Sequence, residues 1–207
     1  TDILKSYKEA EELINLGKYA VAQPFLQDFL QKYENKTLDK SNLIYADAIY
    51  LKALCEKETA SPEAEKDLQY FADNFKGHPK TNNAYFHLGD LAYAKSNYND
   101  ALAFFDKVDE KSLTGKDVTE FQYKRAFANF ALKKFSQARM YFNQITVNKK
   151  HPYNEEGYYY SGLSSYYLKD YNAAYKSFQQ LELSKKYGKI VPYYIASIKF
   201  INKDYKG

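Results

Sequence analysis

A short pattern recurs four times along this 207-residue chain: an aromatic residue, an alanine three positions later and a large apolar residue four positions after that. The copies read YAVAQPFL, YNDALAFF, FSQARMYF and YNAAYKSF, and they begin at Tyr19, Tyr98, Phe135 and Tyr171. Such spacing places the three residues on one face of a helix. The last three copies start about 36 residues apart, so the long first interval has room for a degenerate copy. We place it at SPEAEKDLQYF, with Ala64 and Leu68 as anchors.

A second small residue lies nine positions before each aromatic anchor. These residues are Ala10, Gly89, Ala126 and Gly162. A small side chain at a fixed site on successive helices lets their backbones approach closely. Each copy is therefore predicted to be a helix, a tight turn and a second helix packed antiparallel to the first.

The copies resemble the tetratricopeptide repeat, whose pattern is an aromatic residue, Leu-Gly, a second aromatic residue, alanine, phenylalanine and a small or apolar residue. The third copy, NNAYFHLGDLAYAKSNYNDALAFFDKV, matches at Tyr85, Leu88, Gly89, Tyr98, Ala101, Phe105 and Val108. The fifth, EEGYYYSGLSSYYLKDYNAAYKSFQQL, matches at Tyr158, Gly162, Tyr171, Ala174, Phe178 and Leu181. The resemblance covers the whole chain.

This resemblance implies an all-α fold, a right-handed superhelical array of antiparallel helix pairs with about five and a half copies. We expect one array over residues 1–207, with copies at about 3–38, 41–76, 82–115, 119–150, 155–187 and a half copy at 189–207. The half copy, VPYYIASIKFINKDYKG, has its small site at Ala196 and contains the first helix only. We expect the array to continue beyond residue 207 in a longer protein.

The repeat style is also similar to large tetratricopeptide proteins of Bacteroidetes-type bacteria, and to BamD-like outer-membrane assembly lipoproteins and YbgF-like Tol-Pal accessory proteins. The segments that carry this likeness are NFKGHPKTNNAYFHLGD, EGYYYSGLSSYYLKDYNAAYKSFQQLE and YGKIVPYYIASIKF. The resemblance implies a periplasmic or envelope-associated protein, near a membrane through its partners, with a role in envelope assembly or secretion. A cytoplasmic location is the alternative.

The composition disfavours nucleic acid as a partner. The net charge is only +4, and Arg125 and Arg139 are the only arginines in the sequence. Recognition of phosphates and base edges depends heavily on the planar arginine fork. The chain contains 23 tyrosines and no tryptophan, and an AT-rich coding bias accounts for that excess as well as selection for binding does.

No catalytic or cofactor-binding motif is recognisable in the sequence. His78 and His151 each precede a proline in an inter-repeat loop, and His87 lies beside the Leu-Gly site, where it is predicted to pack. Cys55 is predicted to be a buried, inert thiol. We therefore predict a non-enzymatic scaffold without metal or cofactor. The alternative is the interaction arm of a larger enzyme whose catalytic domain lies beyond residue 207.

Aromatic residues recur on one face of the first helices. Three residues before each small site the chain reads Tyr7, Tyr50, Phe86, Tyr123, Tyr159 and Tyr193, and seven residues further on it has Tyr93, Phe130 and Tyr166. Residues seven apart lie on the same helix face. In the repeat family this face lines a groove, so these nine residues are predicted to bind a protein or peptide partner. The alternative is that they fill space between neighbouring copies.

Two local expectations complete the sequence prediction. Pro24 lies inside a predicted second helix, where it removes one backbone hydrogen bond, so we expect a kink or a late helix start near residues 20–22. In the C-terminal half copy, Ile195, Ile198, Phe200 and Ile201 lack a covering second helix. We expect them to be exposed or to pair in a dimer.

Overall fold

A computed structural model describes residues 3–35 and 42–202, and that part of the chain contains eleven α-helices, one 3₁₀ turn and no strand. The helices are α1 (Ile3–Asn15), α2 (Tyr19–Asn35), α3 (Leu43–Glu58), α4 (Ala64–Asn74), α5 (Thr81–Ala94), α6 (Tyr98–Phe105), α7 (Gly115–Ala131), α8 (Phe135–Val147), α9 (Asn154–Tyr167), α10 (Tyr171–Gln179) and α11 (Val191–Ile201). The 3₁₀ turn is Glu110–Ser112. The predicted all-α fold is confirmed, while the repeat residues 203–205 lie outside the described part.

The helices belong to two compact units. Unit 1 comprises Thr1–Leu91 and Asp106–Asp109, and unit 2 comprises Ala92–Phe105 and Glu110–Gly207. Unit 1 therefore holds α1 to α4 and most of α5, and unit 2 holds the end of α5 and α6 to α11. The prediction of one continuous array over the whole chain stays a prediction.

The turns within the five helix pairs share one geometry. Each contains a single residue with positive φ, and these residues are Gly17, Ala60, Ser96, Lys133 and Lys169. In the last pair, the Lys169 N–H donates to the Tyr166 carbonyl and the Asp170 N–H to the Ser165 carbonyl. The other four turns make the same two bonds. This arrangement satisfies the last carbonyls of a helix and reverses the chain in very few residues.

The anchors of the sequence pattern form the core. In every second helix the alanine and the large apolar residue are buried, and the pairs are Ala22 and Leu26, Ala64 and Leu68, Ala101 and Phe105, Ala138 and Phe142, and Ala174 and Phe178. The degenerate second copy follows the same rule as the clear ones. The periodicity therefore marked the residues that hold each pair together.

The small sites allow the close approach that the sequence predicts. A Cβ atom added to Gly162 on α9 would lie 2.7 Å from Cε1 and 2.9 Å from Cδ1 of Phe178 on α10. Ala10 and Ala126 are fully buried at the corresponding positions of α1 and α7. Gly162 therefore leaves room for a phenylalanine ring that packs directly on the α9 backbone.

For the helix that contains Pro24, the expected late start is wrong, and the alternative of a kink stays a prediction. The helix α2 begins at Tyr19 and includes Pro24 in its interior. Pro24 lines a cavity of about 250 Å³ together with Lys52 and Glu56 of α3, so its ring has free space beside it. Burial of Leu26 and Phe29 in the same helix offsets the single lost backbone bond.

The helix α11 is only partly as expected. Ile198 is buried with Phe178 and Leu181, so its predicted exposure is wrong. The reason is that α11 packs against α10, and this contact covers Ile198 and much of Ile195. Phe200 is 69% exposed and Ile201 is 41% exposed. A dimer contact through these two residues stays a prediction.

Candidate partner-binding face

In unit 1 the predicted binding aromatics are buried. The Tyr7 hydroxyl lies 2.6 Å from a carboxylate oxygen of Asp47 and 2.9 Å from one of Glu11, so its single hydrogen is shared between them. Burial, with those carboxylates, raises the pKa of Tyr7. Tyr50 packs on Phe71 and its hydroxyl lies 3.2 Å from Nε2 of His87. Phe86 is also buried. These three side chains join the core of unit 1, and their role toward a partner stays a prediction.

In unit 2 the predicted residues lie nearer the surface. Tyr93, Tyr123, Phe130, Tyr159 and Tyr166 are each partly exposed, on α5, α7 and α9. Tyr193 on α11 is 73% exposed. Unit 2 therefore has aromatic surface that its own folding does not cover.

Two residues that the sequence prediction did not include connect these rings. Phe127 lies 6.0 Å from Tyr93, 6.0 Å from Tyr123 and 5.2 Å from Tyr160, measured between ring centroids. Tyr160 in turn lies 5.0 Å from Phe130 and 5.2 Å from Tyr159. Tyr166 joins them through Tyr194, whose ring lies 5.8 Å from Tyr166 and 6.5 Å from Tyr159. We call the resulting surface the aromatic face, and it consists of Tyr93, Tyr123, Phe127, Phe130, Tyr159, Tyr160 and Tyr166.

Further tyrosines, from the connections before α9 and α11, stack on this face. Tyr153 lies 4.3 Å from Tyr123 at an interplanar angle of 14°, and Tyr187 lies 4.4 Å from Tyr159 at 18°. The two contacts are equivalent in successive copies. Sequence reasoning missed both residues because a connecting segment has no helical period that reveals which way a side chain points. The only available signal was a tyrosine at a similar place in each connection.

Three hydroxyl groups of the aromatic face have no hydrogen bond within the described part of the chain: those of Tyr93, Tyr123 and Tyr160. Burial is the main cause that raises the pKa of each phenol, and nearby tyrosines add to the effect for Tyr93 and Tyr123. All three therefore keep their protons at neutral pH. By contrast, the Tyr166 hydroxyl lies 2.9 Å from Oγ of Ser197.

The charges beside the aromatic face are neutralised internally. Glu120 accepts a 2.6 Å hydrogen bond from Tyr153 and lies 3.1 Å from the Lys124 ammonium. Burial alone would raise the pKa of Glu120, but these two partners outweigh it and lower that pKa. Glu156 pairs with Lys186 at 2.5 Å. The face therefore presents aromatic rings and neutral hydroxyls rather than free charge.

The two His-Pro loops have one architecture. Nδ1 of His78 accepts a 3.2 Å bond from the Lys80 N–H, and Nδ1 of His151 accepts a 3.1 Å bond from the Tyr153 N–H. An accepting Nδ1 places the hydrogen on Nε2, which donates to the Leu43 carbonyl in the first loop and to Gln122 in the second. Both rings therefore fix the connection before a helix, as their predicted loop positions indicate.

Other candidate groups are structural. Cys55 is buried, and desolvation raises its pKa to about 11, which disfavours the reactive thiolate. His87 is predicted to pack beside the Leu-Gly site, and it is buried. Within residues 3–35 and 42–202, no three His, Cys, Asp or Glu side chains are grouped to hold a metal ion. None of the described helices is both long and apolar enough to cross a membrane.

Comparisons with known proteins identify the fold. The chain is similar to two crystal structures of a Podosopora anserina putative kinesin light chain with nearly identical TPR-like repeats. One of them, a form with a single glutamine-to-methionine substitution, has a TM-score of 0.60 at 14% identity, and the match covers 98% of this chain and 96% of that one. The other has a TM-score of 0.58 at 14% identity, and the match covers 100% and 98%. No family model matches the sequence, and no curated protein matches it.

Proposed function

We propose that this protein is a non-enzymatic scaffold that holds a protein or peptide partner on the aromatic face of unit 2. The observation that carries the proposal is the set of three partly exposed tyrosines, Tyr93, Tyr123 and Tyr160, whose hydroxyls have no partner within the described chain. The TPR-like repeat fold supports it, because such arrays present extended surfaces to other chains.

Packing alone explains this face poorly. A core position is best filled by phenylalanine, since a hydroxyl without a partner loses free energy when it leaves water. Unit 2 does use phenylalanine where burial is complete, at Phe105, Phe121, Phe142 and Phe178. Tyrosine on the neighbouring face combines a large contact area with a polar end, which suits a surface that is alternately wet and covered by a partner.

The proposed location is the periplasm or the cell envelope, with the partner near a membrane. It rests on the resemblance of the repeat segments to envelope tetratricopeptide proteins, and not on the fold. Fractionation of cells that produce the full-length protein tests it. Recovery with the soluble cytoplasmic fraction alone would contradict this location.

Alanine substitutions at Tyr123 and Tyr159 test the binding role. These side chains lie on successive first helices, α7 and α9, so both removals act on one surface. We expect the double variant Tyr123→Ala, Tyr159→Ala to capture its partner at least tenfold more weakly, because each tyrosine that anchors an interface costs more than about 1 kcal/mol of binding free energy when it is truncated. The matched control is Tyr70→Ala, at an exposed tyrosine of α4 in unit 1.

Melting of the same variants separates binding from packing. Partner capture and circular dichroism melting are measured on one preparation of each protein. Weak capture with a retained helical fold supports the proposal. Full capture by the double variant would contradict it. Unfolding of the double variant at the assay temperature would also contradict it, because truncation of a buried structural aromatic lowers the free energy of unfolding by about 3–5 kcal/mol.

A further inference from the structure

We propose that the occupant of the aromatic face is an uncharged, proline-rich segment of the partner, bound in the extended polyproline II conformation. This inference rests on the proposed function and specifies the chemistry of its partner. Two observations carry it, the internal neutralisation of charge and the unbonded hydroxyls, and the general spacing of packed helices agrees with it.

The charge balance favours an uncharged ligand. Glu120 is engaged by Tyr153 and Lys124, and Glu156 by Lys186. A basic segment would have to displace Lys124 or Lys186, and an acidic segment would meet Glu120 and Glu156. Either exchange breaks an existing pair for each pair it forms, so net charge gives no advantage at this face.

The hydrogen-bonding groups favour a ligand with free carbonyls and few N–H groups. The hydroxyls of Tyr93, Tyr123 and Tyr160 can each donate one bond. A helical ligand has already used the carbonyls along its middle, so it cannot accept these bonds. An ordinary extended strand has free carbonyls but also an N–H group on each residue that needs an acceptor. The two carboxylates beside the face already accept bonds, Glu120 from Tyr153 and Lys124 and Glu156 from Lys186. Proline keeps the carbonyl and has no N–H.

The general spacing of packed helices is close to the polyproline II repeat. Tyr123 lies on α7 and Tyr160 on α9, and these two helices pack against each other. Packed helices have axes about 8–10 Å apart. A polyproline II chain has three residues per turn and rises about 3.1 Å per residue, which gives a turn of about 9 Å. One turn of such a ligand is therefore about as long as the usual step between two packed helices.

The ring geometry supplies apolar faces for pyrrolidine rings. Phe127 and Tyr160 meet edge to face at 87°, whereas Tyr123 and Tyr153 stack at 14°. Rings at right angles give an uneven surface with grooves between the rings, whereas two stacked rings give a flat surface. Aromatic-lined surfaces of this kind recognise proline-rich segments, which lose little conformational entropy because their extended form exists before binding.

A fluorescent decaproline peptide tests the inference. It is titrated into the protein beside decapeptides of glycine-serine, lysine and glutamate, and binding is followed by anisotropy. We expect saturable binding of decaproline at least about tenfold tighter than binding of the other three. The variant Tyr123→Phe removes one hydroxyl and keeps the ring, and it should weaken decaproline binding about fivefold. The control Tyr70→Phe, in unit 1, should leave binding unchanged.

Several results would overturn the inference: decaproline that binds no tighter than glycine-serine, tighter binding of the lysine or glutamate peptide, or equal binding by the wild type and Tyr123→Phe. The capture experiment with Tyr123→Ala, Tyr159→Ala distinguishes what has failed. If that variant loses its partner while decaproline does not bind, the face binds protein of another chemistry and only this inference falls. If the double variant still captures its partner at full strength and decaproline does not bind, the proposed function is contradicted as well.

Discussion

Among residues 3–35 and 42–202, four residues other than glycine adopt the left-handed conformation that closes a helix pair. Ala60, Ser96, Lys133 and Lys169 have φ between 55° and 62°. A side chain with a Cβ atom is disfavoured in this region, and glycine is the residue that helix ends of this type prefer. Only the turn at Gly17 follows that preference. The other four turns therefore contain local strain that the packing of the helix pairs overcomes.

Replacement of one such residue by glycine should stabilise the protein. We expect Lys169→Gly to raise the free energy of unfolding by about 0.5–1 kcal/mol, because glycine relieves the left-handed strain at an exposed site. The matched control is Lys176→Gly within α10, which should lower it by about 1 kcal/mol. Urea denaturation measures both. Destabilisation by Lys169→Gly would show that its side chain stabilises the turn.

His151 should make stability depend on pH. Burial lowers the pKa of its ring below the ordinary 6.5, although Glu156 acts in the opposite direction. The unfolded chain then binds a proton before the folded one does, so this contribution to stability is complete above about pH 6.5 and is lost as the pH falls through the lowered pKa.

Denaturation between pH 7.5 and 5 compares the wild type with His151→Gln, which cannot titrate in this range. We expect the free energy of unfolding of the wild type to fall more steeply with decreasing pH than that of the variant. Parallel curves would mean that His151 titrates alike in the folded and unfolded states.

At the scale of the helix, the close approach of α9 and α10 depends on the absence of one side chain. We expect Gly162→Ala to destabilise the protein by about 1–3 kcal/mol, because the new methyl group overlaps the buried ring of Phe178. The control is Gly77→Ala, where a Cβ atom meets nothing within 4 Å, and it should change stability by less than about 0.5 kcal/mol. Thermal melting measures both, and equal melting temperatures would show that α9 and α10 can separate at little cost.

The helices were predictable from the sequence because each carries its own period. The anchor pattern located the buried alanines and apolar residues, including those of the degenerate copy at Ala64 and Leu68. It failed at α11, where Ile198 was expected to be exposed and is buried. A helical period identifies residues that share a face, but the contact with α10 decides how much of that face is covered.

At the scale of the molecule, a small set of positions specifies the fold. The chain is 14% identical to repeat structures that align with nearly its full length. Such agreement follows from the spacing of a few buried residues, since exposed positions can vary freely.

The anchor pattern of the repeats predicts the residues of the aromatic face less well than it predicts the core. Phe127 and Tyr160 lie beside the predicted ladder, and Tyr153 and Tyr187 come from connections between copies. Their contacts arise only when successive copies pack together, so no single copy of the pattern reveals them.

The most direct test of the binding surface is ¹⁹F NMR of the protein labelled with 3-fluorotyrosine, with resonances assigned by single Tyr→Phe variants. The purified partner recovered by capture is titrated into the labelled protein. We predict that the resonances of Tyr93, Tyr123 and Tyr160 shift with one common affinity, while those of Tyr45 and Tyr70 in unit 1 hold their positions. Saturable binding that leaves the three unit 2 resonances unchanged would contradict the assignment of the aromatic face as the partner-binding surface.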